Sequence, residues 1–363
     1  MNVLFKIVFS YLLLSTSVNA NTNMDFLVFP EIKLAYTDET SFSSDNITPS
    51  VDLFAAGNIS FVNILAEAYV AEDLQHIERL QIGFNVSENS RLWFGRHHNS
   101  YGYWHTQYHH GTYLQTSIGR PSMVELGAAG GIVPSHSTGI LLEGEIEQQT
   151  SAWHYALSVG LTAQLNPSSE SHHGGSANAS LQDFDILNSD PSEHELGYAF
   201  RLAYLPDALA ETQVGAFITH GDIVLKADPE HMSDESHHEQ SSMKNEIITL
   251  DIFGVFVNYQ HQAWQLISEV YYVKSAVPVD MSVQKNSFSA AYLQVEYAIG
   301  EHWTPYMRID RSFSYANDPY LQLLDGYPAN ANTLGLRLDL WVIMHLNWSI
   351  LNATLIIKIL TCG

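Results

Sequence analysis

The chain has 363 residues, with 39 Asp or Glu against 15 Lys or Arg, and a formal net charge of -24. That balance argues against nucleic acid or anionic lipid as a partner, since both need a basic face, and the single cysteine, Cys362, excludes a disulfide framework. A mean hydropathy of -0.05 is too polar for a bundle of membrane helices, so a chain of this composition that enters a membrane does so as strands.

Residues 1–20 read as a signal peptide. Lys6 supplies a basic start, Ile7 to Leu14 an apolar run, and Val18-Asn19-Ala20 a small-x-small cleavage site. Residues 21–340 then read as one all-β unit, a transmembrane antiparallel β-barrel of fourteen strands. Period-two alternation places them at 26–37, 50–57, 60–71, 77–86, 91–97, 138–147, 151–164, 195–205, 212–225, 247–260, 263–275, 287–299, 303–315 and 331–340. In the fourth, Leu80, Ile82, Phe84 and Val86 share one face, and Arg79, Gln81, Gly83 and Asn85 the other. In the sixth, Ile140, Leu142, Gly144 and Ile146 oppose Leu141, Glu143, Glu145 and Glu147. Pro30 in the first strand calls for a bulge or an unpaired position.

A soluble sandwich alternates too, so the connections decide between the two folds. Those after the even strands are short: 58–59, 87–90, 148–150, 206–211, 261–262 and 300–302. Those after the odd strands are long, at 38–49, 98–137, 165–194, 226–246, 276–286 and 316–330, with 72–76 the exception. Short turns at one end and long loops at the other are the asymmetry of outer-membrane barrels of Gram-negative bacteria. Trp104, Tyr108, Trp153, Tyr155, Tyr259, Trp264, Tyr271, Tyr272, Tyr297, Trp303 and Tyr315 fall near the expected lipid-water boundaries.

Residues 341–363 abandon alternation and end in Thr361-Cys362-Gly363. Back-translated and read one base earlier, with suitable synonymous codons, the stretch spells Gly-Asp-Asn-Ala-Phe-Lys-Leu-Glu-Tyr-Ser, a turn followed by an alternating strand. The hypothesis is a reading-frame shift near Leu340, with sixteen strands in an intact version; the other reading is an atypical apolar tail. Resequencing the gene and finding no coding potential in the alternative frame would overturn the shift.

The segment Gly95-Arg96-His97-His98-Asn99-Ser100-Tyr101-Gly102-Tyr103-Trp104 leads from a strand into a His- and aromatic-rich loop. Over residues 79–147 the chain resembles a family of uncharacterised porin-like outer-membrane proteins of Gammaproteobacteria that carry Gly-Arg-x-His-Asn-x-x-Gly-Tyr-Trp. The resemblance implies an outer-membrane β-barrel, with no substrate assigned. By analogy with porins, residues 98–137 are the candidate constriction loop, with Gly127, Gly130 and Gly131 allowing its close turns.

Glu67, Arg79, Glu143, Glu145, Glu147, Arg201, Glu269, Glu296 and Arg308 fall on expected lumen faces, and the excess of acids favours cations. His105, His109, His110, His172, His173, His231, His237 and His238 are candidate ligands for weakly bound zinc or another divalent metal. No phosphate-binding loop, dinucleotide fingerprint, nucleophile elbow or cysteine cluster is present, and His154 or His220 near serines is the one constellation an enzyme could use. The expectation is a non-enzymatic, porin-like channel for passive diffusion of small cationic or metal-bearing solutes. Its partners would be outer-membrane lipid and small solutes, with a homotrimer as the candidate assembly. The alternative is a non-conducting outer-membrane protein that captures divalent metal through His-rich external loops.

Overall fold

Alternating strands joined by short turns pair with their sequence neighbours. The computed structural model describes residues 22–34, 47–71, 75–108, 114–117, 119–124, 133–167, 179–184, 186, 190–226, 246–279, 282–324, 327 and 329–339. The strands are β1 (Thr22–Leu34), β2 (Ile47–Ile59), β3 (Val62–Ala71), β4 (Gln75–Ser87), β5 (Ser90–His98), β6 (His136–Gln148), β7 (Ser151–Leu161), β8 (Gln164–Pro167), β9 (Ala179–Gln182), β10 (Leu196–Leu205), β11 (Gln213–Leu225), β12 (Glu246–His261), β13 (Trp264–Val279), β14 (Ser282–Tyr297), β15 (Trp303–Phe313) and β16 (Asn330–Leu338). A short helix, α1 (Trp104–Tyr108), follows β5.

Fourteen of these form one up-and-down antiparallel ladder in chain order, from β1 through β7, then β10 to β16. All fourteen match the strands expected from alternation, with ends moved by a few residues. Among the described residues, β1 and β16 are the two ends of the ladder and no pairing joins them. The described residues hold two further strands outside this ladder. The extra strands, β8 and β9, run from Gln164, the last residue of the expected seventh strand, into the connection 165–194, and β8 pairs parallel with β11 at Val224 and Leu225. The two strands expected beyond residue 340 lie outside the described residues, as do the signal peptide and the tail.

The burial pattern separates barrel from sandwich. On β4, Leu80, Ile82 and Val86 are exposed while Glu78 and Gln81 are buried; on β14, Leu293 is exposed while Gln294 and Glu296 are buried. A soluble fold would reverse this, because exposing leucine and burying carboxylates costs free energy in water. The arrangement suits a wall with hydrocarbon outside and a polar interior. Val255, midway along β12, is 54% exposed on the outer face. Arginine at Val255 should cost roughly 2–4 kcal/mol of folding free energy in a bilayer, read as lost refolding into liposomes. Asn85→Arg, on the cavity side, should refold normally; equal loss from both would contradict this assignment of faces.

Several expectations change. Pro30 sits in unbroken register opposite Val51, without a bulge; β1 ends the ladder, so a missing N–H is tolerated there. Tyr259, Trp264, Tyr297 and Trp303 form an exposed belt at the short-turn end, with Trp264 and Tyr297 rings 4.6 Å apart. Trp104, Tyr108 and Tyr271 do not belong to any boundary: they face inward, Trp104 and Tyr271 in a buried core with Tyr101, Tyr103, Phe217, Ile252 and Phe288, and Tyr108 packed against it. One side of the interior is thus filled by apolar packing, which period-two alternation alone does not reveal.

Candidate channel lumen

Among the described residues, open space lies along β4 to β7. A cavity of about 540 Å³ is lined at the short-turn end by Glu88, Asn89 and Ser90, along its walls by Arg79, Arg91, Trp93, Glu143, Glu145, Glu147 and Tyr155, and at its far end by His97, His98, Asn99 and Arg201. Trp93 lies flat across β4 because residue 83 is glycine: a Cβ there would fall 2.4 Å from the indole. The indole N–H then donates to Glu143 at 2.7 Å. Glu145 meets His154 at 3.1 Å, and Arg79 pairs with Glu67.

The connection after β5 crosses this interior. Its backbone is held by side chains from strands far apart in the ladder, so the sheet must curl around it. Arg201 on β10 donates from Nε to the Gly102 carbonyl at 2.9 Å. Glu269 on β13 accepts the Trp104 backbone N–H at 2.7 Å and the hydroxyls of Tyr271 and Tyr292 at 2.7 and 2.6 Å. Glu296 on β14 accepts from Thr116 at 2.5 Å. Arg308 on β15 donates to the carbonyls of Gly119 and Arg120 at 2.8 and 2.7 Å, and Asp310 accepts the Ser122 N–H at 3.0 Å. Gly102 adopts φ +61°, and a Cβ there would lie 2.3 Å from Glu269 Oε2, so both its conformation and its contact demand glycine. Burial, and next the Asp183 carboxylate, push the Tyr101 hydroxyl well above its ordinary range, so it stays neutral.

At the foot of this segment is a cluster that alternation hides. The β3–β4 register shifts at Glu67/Ala68, where Arg79 faces Glu67 and Ile77 faces Ala68, leaving Glu78 as the extra residue of a β-bulge. Strict alternation would point Glu78 outward with Leu80; the bulge turns it inward, fully buried. There it meets His76, and the Nε2 of His136 at 3.0 Å. The Nδ1 of His136 lies 2.6 Å from Asp183, which follows β9. A carboxylate oxygen thus stands within 3.0 Å of each nitrogen of the His136 ring. Arg96 stands 3.8 Å from Asp183 and donates to the Phe184 carbonyl. Burial would raise the Asp183 carboxyl, but His136 and Arg96 outweigh it and hold it below the usual carboxylate range. Glu78, His136 and Asp183 escaped the reading of lumen residues because a bulge and a folded-back loop leave no periodic mark.

Of the nine residues expected to line the lumen, Arg79, Glu143, Glu145, Glu147 and Arg201 line the cavity. Glu67 is buried behind Arg79, and Glu269, Glu296 and Arg308 lie on the inner face beneath the crossing segment. Of the candidate metal ligands, His105 is in α1, stacked on Tyr101 at 4.1 Å with Nε2 on the Ser135 carbonyl at 2.9 Å. His109, His110, His172, His173, His231, His237 and His238 lie outside the described residues, as do Gly127, Gly130 and Gly131. Among the described residues, no group of three or more His, Cys, Asp or Glu is placed to hold a metal ion. His220 pairs with Asp251 at 2.8 Å and stacks on Tyr198, with no serine hydroxyl bonded to either among the described residues.

A curled antiparallel ladder, apolar outside and charged within, crossed by one of its own long connections, defines an outer-membrane-type β-barrel of porin-like architecture. Solved structures of similar fold include OmpT, an outer membrane protein of Vibrio cholerae (10% identity, 88% of this chain and 97% of that one, TM-score 0.36). Others are the outer membrane protein OpdK of Pseudomonas aeruginosa (11%, 88% and 77%, TM-score 0.37) and OccK5 from the same organism (11%, 87% and 73%, TM-score 0.33). No protein-family model matches the chain, and no curated protein matches it. The class therefore rests on the ladder and the burial pattern.

Proposed function

We propose that this protein is a porin-like outer-membrane channel for passive diffusion of small cationic solutes, with the segment 98–137 as its constriction. The observation that carries the reading is the cavity wall. Glu88, Glu143, Glu145 and Glu147 face three guanidinium groups there, those of Arg79, Arg91 and Arg201, and Arg79 is already paired with Glu67. An acidic surplus between low-dielectric walls concentrates cations. No covalent chemistry is part of this reading.

The test is conductance of the refolded chain in a planar bilayer under a salt gradient. The expected current is cation-selective. Changing Glu143, Glu145 and Glu147 together to Gln should lower the cation-to-anion permeability ratio by roughly threefold or more, as removal of a focused field would. An anion-selective current, or none, would overturn the reading.

A further inference from the structure

His98 differs from its neighbours in facing two ways. Its ring forms part of the cavity's far end and its side chain is 14% exposed, whereas His97 and His105 are almost wholly enclosed. His97 Nδ1 is engaged by the Gly95 carbonyl at 3.1 Å, and His76 lies beyond Glu78. His98 thus borders the cavity with part of its ring, while its Nε2 is buried on the side of Glu67.

From β3, Glu67 Oε2 lies 3.9 Å from His98 Nε2. From β4 come His76, Glu78 and Arg79, the last paired with Glu67. From β5 come Arg96 and His97. The crossing segment contributes Tyr101 and His105, the latter with its ring 6.0 Å from that of His98. From β6, the His136 ring is 5.1 Å away. Asp183 closes the far side of His136, and Arg201 of β10 borders the same cavity. Among the described residues, Arg79, Arg96, His76 and His136 stand there beside Glu67, Glu78 and Asp183.

We propose that His98 is a selectivity-determining residue of the lumen, whose protonation adds a positive charge to the cavity's far end and reduces its preference for cations. The inference rests on the channel reading above. An imidazole is the side chain whose charge changes between about pH 5 and 8, and a charge bordering a narrow lumen lies well within a Debye length of any ion passing it.

The experiment measures reversal potentials of the refolded full chain under a KCl gradient at about pH 7.5 and about pH 5.5, on either side of an ordinary imidazole. The cation-to-anion permeability ratio should fall by roughly threefold to tenfold on acidification, the scale of a single focused charge. His98→Gln should hold the ratio near its neutral-pH value at both settings. Glu67→Gln, which removes the nearest counter-charge, should keep the change but move its midpoint to lower pH. His154→Gln, altering a histidine elsewhere on the wall, should leave the change intact. A conducting channel whose ratio is flat with pH, or whose pH response survives in His98→Gln, overturns the assignment of His98 alone. Absence of conductance overturns the channel reading beneath it.

Discussion

Replacing Glu269 with alanine is expected to raise single-channel conductance severalfold while lowering the thermal stability of the refolded protein. The carboxylate holds three donors at once, the Trp104 backbone N–H and the hydroxyls of Tyr271 and Tyr292, in a site shut off from water. Alanine leaves all three without an acceptor, at about 1–3 kcal/mol for each buried donor. The ring of Tyr292, 5.9 Å from Trp104, and the Arg201 bond to Gly102 belong to the same contact, so the crossing segment should lift from the wall locally. Glu269→Gln keeps one acceptor oxygen and should lose less. Reduced stability with unchanged conductance would show that the segment does not constrict the path.

The second large effect is expected at Glu78. Removing one partner of a buried charge pair leaves the other uncompensated, at about 3–5 kcal/mol. Glu78→Ala removes the carboxylate that stands 3.0 Å from His136 Nε2 while Arg96 remains nearby, and denaturant unfolding should show a loss of that size. The loss should persist at high salt, since buried pairs are little screened. A loss under about 1 kcal/mol, as for surface pairs, would mean that the cluster is solvated. Asp183 adds a pH dependence of definite sign. Its folded carboxyl titrates below its unfolded value, so its contribution is present above about pH 4 and is lost as the pH falls through the lower folded value. In Glu78→Ala the acid loss should move to still lower pH, because the Glu78 carboxylate that repels Asp183 is gone.

Most of the wall was legible in the sequence, for a physical reason. A strand between lipid and water must alternate, and each of the fourteen segments does so within itself, so a window of ten residues suffices to find it. The crossing segment was half legible. Its length and its run of aromatic residues set it apart, but that Glu269, Glu296 and Arg308 would hold it could not be seen, because their partners lie 165 to 189 positions away. Treating those three as groups facing open water followed the correct face and missed what covers it.

The amino-acid order by itself determined the strands, their faces and the alternation of short turns with long connections, since each depends on neighbours along the chain. Its excess of carboxylates, focused between strand walls, is what the proposed cation preference rests on. Only the tertiary structure decided where open space remains. It filled one side of the interior with Tyr101, Tyr103, Trp104 and the inner apolar residues of β11 to β14, and left the cavity along β4 to β7. It also turned Glu78 inward by a single bulged residue and brought Asp183 back onto His136. Charges so placed depend on contacts between segments distant in sequence, and no periodicity records them.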